Sequence, residues 1–349
     1  MSGKAMNGRT GDAVGMASAG TAAADIPADT AAAGLALPDD DGRLILVKEL
    51  HGHSGCRLLL LRERERERDC DAYRVRKISG SAGYDGRLRD QRHKQGEMAA
   101  LGLPCPAVLK EGLLGDGELA GRYCFDMEYV RGQSLGDVLE HGDSALFDTV
   151  ARSLTATLRG LAATVSGRLP AGLFLDKIAA VVAAVPPCLD GGNDPGGRRA
   201  AISETAARLA AHDWSGIPAS QGHGDLTVEN VLLRPNGGLC FIDFLDGPLN
   251  SCWLDVAKLH QDLHGHWFLR TLPDEQRSGP RGRSLRIAAA KLAALLHGHL
   301  HPLWPDLYER LPVLTQFQLF RIVPYCRSDE VLAFVLRRIQ DIDKDATFS

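Results

Sequence analysis

Short apolar runs come first in the chain. LILVKEL (44–50) and RLLLL (57–61) flank HGHSGC, and predict two strands joined by a turn containing Gly52 and Gly55. AYRVRKIS (72–79) predicts a third strand. Period two puts Tyr73, Val75 and Lys77 on one face, and Arg74, Arg76 and Ile78 on the other. RERERERD (62–69) alternates in sign and reads as a solvated hairpin extension. A helix is predicted over 87–101, ended by Gly102 and Pro104, although Leu88, Met98 and Leu101 supply only part of an apolar stripe. RYCFDMEYV (122–130) is a further strand, followed by RGQSLGDVL with Ser134 as a helix cap.

Beyond about residue 145 the period becomes helical. Helices are predicted over 144–165, 173–185, 198–212 and 253–267, then over 284–299, 314–323 and near 328–340. VLL (231–233) and LCFI (239–242) read as a hairpin around RPNGG. Strands first, one helix among them, then mostly helices: this order predicts an α+β chain with a small β-rich lobe and a larger α-rich lobe.

Composition narrows the possible functions. At 349 residues and 44 % apolar the chain can bury a sizeable core. Its net charge of −4 lacks the basic excess of a nucleic-acid binder. Eight cysteines without a CxxC pair read as reduced, buried small hydrophobes, as expected of a cytoplasmic protein. No run of eighteen apolar residues occurs, so no membrane span is expected. Residues 1–43, rich in Ala, Gly, Asp, Thr and Ser, read as a mostly disordered tail.

The chemistry concentrates in GHGDLTVENVLL (222–233) and the CFIDF that follows it. The hairpin folds the loop before it back toward the aspartate at its end. Asp225, Asn230 and Asp243 then converge. Carboxylate and amide oxygens suit a hard cation such as Mg²⁺ held together with phosphates.

The string H-G-D-x-x-x-x-N followed by I-D-F resembles the catalytic and metal loops of the aminoglycoside phosphotransferase and choline kinase group, within the protein-kinase-like fold. Gly224, where protein kinases carry arginine, and Leu245, where they carry glycine, favour the small-molecule branch. The resemblance covers roughly residues 44–260 and implies a bilobal enzyme using ATP and Mg²⁺. By it, Asp225 orients the acceptor hydroxyl, and Asn230 and Asp243 bind metal. Lys77 holds nucleotide phosphates, Val75 covers adenine, and Glu97 orients Lys77, with Asp90 as the fallback. Glu128 and Val130 meet the adenine edge, and Ser54 and Gly55 lie over phosphate, although HGHSGC lacks the full glycine set of protein kinases. His223 packs beneath the loop, and Asp255 supports it. Asp246 is a metal-shell or substrate contact, or a turn residue.

These expectations divide the chain into a tail (1–43), a nucleotide-binding lobe with hinge (44–130), and a helical lobe with catalytic loop and acceptor site (131–349). The expected reaction moves a γ-phosphate to a hydroxyl of a sugar, amino sugar or amino alcohol. A protein kinase would need a docking segment longer than the interval between Asp243 and Asp255. A silent nucleotide-binding module would have lost the metal ligands, which are present. His260, His264 and His266 tempt a zinc reading, but a zinc protease would carry glutamate where Gln261 stands. These histidines, and His297, His299 and His301, read as solvated helix faces or substrate contacts.

Overall fold

The computed structural model describes residues 30–31, 44–50, 55–63, 72–184, 186–192 and 194–346. Most of the 1–43 tail, most of the 62–69 charged stretch, and Ser54 lie outside them.

An antiparallel sheet is built from β1 (Thr30–Ala31), β2 (Leu44–Leu50), β3 (Cys56–Glu63), β4 (Ala72–Ser79), β5 (Val108–Leu113) and β6 (Tyr123–Glu128). Its order is β1-β2-β3-β4-β6-β5. Lys77 on β4 lies opposite Leu58 and Phe125, which fixes the face on which its ammonium emerges. Between β4 and β5 runs α1 (Ala82–Ala100), longer at its start than its sparse apolar pattern predicts. Leu88 of this helix packs with Tyr123 and Phe125 of β6. Met98, near its end, joins the core of the helical part, so α1 belongs to both halves of the molecule.

The chain then passes β7 (Gln133–Ser134) into α2 (Leu135–His141). Ser134 caps that helix as expected: its hydroxyl accepts from the Asp137 N–H, and Asp137 answers on the Ser134 N–H. Next come α3 (Ser144–Ala162), β8 (Gly167–Arg168), α4 (Ala171–Ala183), α5 (Arg198–Ala210) and β9 (Pro218–Ala219). The hairpin of β10 (Val231–Leu233) and β11 (Leu239–Phe241) forms as predicted, with Val231 opposite Phe241, and β7 adds a third strand. α6 (Cys252–Leu263), α7 (Asp274–Ser278), α8 (Pro280–Leu300), α9 (Pro305–Phe320) and α10 (Asp329–Ala346) complete the chain. The helix expected at 314–323 starts at Pro305 and carries Pro312 inside it. Proline at the first position and a buried stripe of Leu307, Leu311 and Leu314 sustain it across that break.

The main core runs through α2 to α10 and includes the hairpin. The segment Ala171–Leu189 is long and apolar enough to cross a membrane, but Phe174, Ile178 and Val181 of α4 are buried in this core. Phe174 stacks on Trp214 at 4.6 Å.

Candidate active site

The loop before β10 is set by its backbone. Gly224 has φ +84°, and a Cβ there would lie 1.9 Å from the Leu245 carbonyl oxygen, so no larger residue fits the fold-back. Asp255, at the start of α6, accepts from the N–H groups of His223 (2.6 Å) and Gly224 (2.8 Å). Burial pushes its pKa up to about 7 despite these two bonds. His223 is 1 % exposed and tilts against Phe244. Its Nδ1 accepts from the Asp225 N–H, so its Nε2–H donates to the Ile242 carbonyl, 2.9 Å away. Burial lowers its pKa to about 4 and keeps the ring neutral. One imidazole thereby ties the Asp225 loop to the Asp243 segment.

Asp225, Asn230 and Asp243 converge as the sequence suggested. Asn230 Nδ2 donates to the Asp225 carbonyl (2.9 Å) and lies 3.4 Å from Oδ2 of its side chain. The Ile242 N–H donates to the Asn230 carbonyl at 3.0 Å. Asp243 adopts φ +63°, a left-handed conformation for a non-glycine residue. Its carboxylate forms an ion pair with Lys77, whose side chain is 2 % exposed. Burial acts against the Lys77 charge, but Asp243 outweighs it and the pKa is raised. Asp225 pairs with Lys258 of α6 at 3.1 Å. Burial opposes its charge too, and Lys258 nonetheless holds its pKa below the ordinary value.

Not every expected residue joins this cluster. Glu97 does not meet Lys77: its side chain is 43 % exposed, 3.3 Å from His93 and 3.9 Å from Lys94. The inward stripe of α1 is Leu88, Gln91, Lys94, Gln95 and Met98, and Glu97 falls outside it. Asp90 is exposed as well. Val75 is buried on β4, on the Lys77 face. The Glu128 N–H is taken by the Ala107 carbonyl at 2.9 Å, which leaves no donor for a ligand at that position. Val130 follows, just beyond β6, with no hydrogen bond from its N–H among the described residues. Gly55 packs beneath the ring of Tyr84, where a Cβ would come within 3.1 Å, and its carbonyl accepts from the Gly80 N–H. Ser54 lies outside the described residues.

The structure adds residues that the pattern did not mark. Lys94 is 1 % exposed, donates to Gln221 Oε1 at 2.5 Å, and stands 3.9 Å from Asp246. Burial lowers its pKa. Gln91 is buried beside it on the stripe, with its Oε1 unbonded among the described residues. Asp262 accepts from the Val228 N–H at 2.8 Å and braces the loop between Asp225 and Asn230. The histidines form two stacked pairs, His260 with His264 and His297 with His301. No cluster of metal-binding side chains occurs among the described residues. The Asn230 and Asp243 oxygens suit a hard cation in kind, and Lys77 already marks the Asp243 carboxylate as the charged end of the pair.

Comparison with known proteins places the chain in a family. The family described as "Phosphotransferase enzyme family" matches residues 60–290. No curated protein matches the sequence. Wild-type aminoglycoside 2'-phosphotransferase-IIIa, solved with GDP, is 14 % identical with a TM-score of 0.52, over 85 % of this chain and 92 % of that one. The GDP and kanamycin complex of APH(2")-IIia gives 14 %, 0.52, 85 % and 93 %. Choline kinase LicA from Streptococcus pneumoniae gives 16 %, 0.49, 88 % and 95 %. The chain therefore belongs to the phosphotransferase enzyme family, with a protein-kinase-like α+β fold.

Proposed function

We propose that the chain transfers the γ-phosphate of ATP to a hydroxyl of a small molecule, with residues 44–130 as the nucleotide-binding lobe and 131–349 carrying the catalytic loop and acceptor site. The observation that carries this is the placement of Asp225 between two flanks. Asn230 lies on one side of its carboxylate and Lys258 on the other. Lys77 and Asp243 meet beside it, where the Ile242 N–H donates to the Asn230 carbonyl. The Asn230 flank, next to Asp243, belongs to the nucleotide. The Lys258 flank is left for the acceptor.

In this reading Lys77 leaves Asp243 for the phosphates. Asn230 and Asp243 would hold Mg²⁺, which supplies charge neutralisation on the triphosphate. Asp225 aligns the acceptor hydroxyl and takes its proton as the oxygen bonds to the γ-phosphorus. The bond from that phosphorus to the bridging oxygen breaks, and ADP leaves. Val75 covers the base, and Val130 offers its N–H at the base's edge. Positioning and fixed charge do the catalysis, with no covalent intermediate. Sugars, amino sugars and amino alcohols are the acceptor classes that the family suggests. A reaction on ATP, in a chain whose described cysteines carry no disulfide, fits the cytoplasm.

Asp225→Asn tests the assignment. It should lower turnover by roughly 10²–10⁴-fold, the range for losing a general base, while Mg-ATP affinity measured by calorimetry stays within about threefold. Undiminished phosphoryl transfer by this variant would remove Asp225 from the reaction.

A further inference from the structure

The acceptor flank of Asp225 is lined with positive charge. Lys258 is one contributor, already paired with Asp225. Arg321, just past the end of α9, is the second. Its position follows from packing: Gln318 donates to the Leu254 carbonyl of α6 at 3.0 Å, and its Oε1 accepts from Arg321 Nη1 at 2.9 Å. Leu254 and Lys258 lie one turn apart on α6, and Lys258 and Arg321 both act on the Asp225 carboxylate to lower its pKa. The guanidinium sits 5.9 Å from the Phe317 ring centroid. Among the described residues no carboxylate lies within ion-pair distance of it. Burial lowers its pKa, the field of Asp225 favours its charge, and Arg87, from α1, opposes it.

The acids of the neighbouring segments do not reach Arg321 at ion-pair distance. Glu229 pairs with Arg270 at 3.1 Å. Asp262 is buried; its Oδ2 accepts from the Val228 N–H, and its Oδ1 has no partner among the described residues. Asp246 stands with Lys94, on the α1 side. A polycationic acceptor brought to this flank would find Asp225 already paired with Lys258, and Arg321 without a carboxylate partner among the described residues. A carboxylate or phosphate would find an arginine fork whose planar donors match it, at a half-buried place where a charge-assisted bond is strong.

From this we infer that the acceptor is an anionic hydroxyl compound, a sugar acid or sugar phosphate, whose negative group docks on Arg321 while its hydroxyl faces Asp225. The inference rests on the phosphotransferase reading above and makes Arg321 the specificity-determining residue of that site.

ADP release by the full chain with Mg-ATP should be measured over glucose, glucosamine, choline, kanamycin, a set of uronates and a set of hexose phosphates. An anionic acceptor should exceed its neutral isostere in kcat/KM by roughly tenfold or more, as expected of a charge-assisted bond. The uronate and phosphate arms identify which anion is read. Arg321→Gln should raise KM for that acceptor and bring the acid-to-neutral ratio close to one, and Arg321→Lys should keep part of it. Preference for glucose, glucosamine, choline or kanamycin overturns the inference. So does an unchanged ratio in a folded Arg321→Gln protein, or Mg-ATP binding with no stimulation by any anionic acceptor. Absence of Mg-ATP binding is a different failure, and it removes the phosphotransferase reading itself.

Discussion

Lys77 and Asp243 stand 166 residues apart in sequence, yet they meet as an ion pair between the strand β4 and the segment after β11. The lysine side chain is 2 % exposed and the aspartate side chain 35 % exposed. The two partners therefore depend on each other unequally.

That inequality has a stability consequence. Asp243→Ala leaves a buried ammonium without its counter-charge and should cost about 3 kcal/mol or more. Lys77→Met removes the buried charge itself and leaves a carboxylate that water can reach, so it should cost clearly less. Urea unfolding of the two variants in the absence of nucleotide checks the order. Equal losses would contradict the pair geometry.

Gly224→Ala combines a left-handed φ with a Cβ that meets the Leu245 carbonyl. Removing the strain would pull the Asp225 loop away from the Asp243 segment. We expect a loss of at least about 1 kcal/mol in stability, and a fall in turnover beyond what the lower melting temperature explains. Thermal melts paired with kinetics at low temperature separate the two effects.

On α1 the expected glutamate and the observed lysine give opposite forecasts. Glu97 is half exposed and should tolerate Gln, with ADP release changed by less than about twofold, the scale of an ordinary surface pair. Lys94→Met removes the bond to Gln221, which lies two residues before His223. It should lower kcat by roughly tenfold or more, the loss expected with a hydrogen bond to a charged group. Side-by-side kinetics of the two variants decide between them.

The buried histidine sets a pH response. His223 has a pKa of about 4 in the folded chain, against roughly 6.5 when unfolded. Between these values the unfolded chain binds the extra proton, so this residue makes stability rise with pH up to about 6.5 and adds nothing further above it. Asp255, raised to about 7, has the opposite sign: its contribution is full below about 4 and is lost as pH climbs to 7. His223→Gln should therefore flatten the acid limb of a stability-versus-pH curve, and the wild-type ring should titrate by NMR near pH 4. A ring midpoint near 6.5 would contradict its neutral, bonded state.

The sequence made some of this architecture legible and hid other parts for physical reasons. Val231–Leu233 and Leu239–Phe241 pair as expected because two apolar runs around Pro235–Gly238 have few alternatives. Asp225, Asn230 and Asp243 were legible because that hairpin brings them together. α1 was legible as a helix but not in its inward face, since it turns Gln91, Lys94 and Gln95 inward among only two apolar residues, and a polar stripe gives no helical phase. Glu97 was therefore expected to orient Lys77, which it does not meet. Lys258 and Arg321 were hidden for another reason. Which side chain reaches Asp225 depends on how α6 crosses α9, and local periodicity does not specify that crossing.

Calorimetric titration of the full chain with ATP, with and without Mg²⁺, tests whether the site around Lys77 and Asp243 holds a nucleotide. The expected result is one site whose affinity rises at least about tenfold with Mg²⁺ and which loses that dependence in Asp243→Asn. No heat of binding under either condition, or an affinity indifferent to both Mg²⁺ and Asp243, would contradict it.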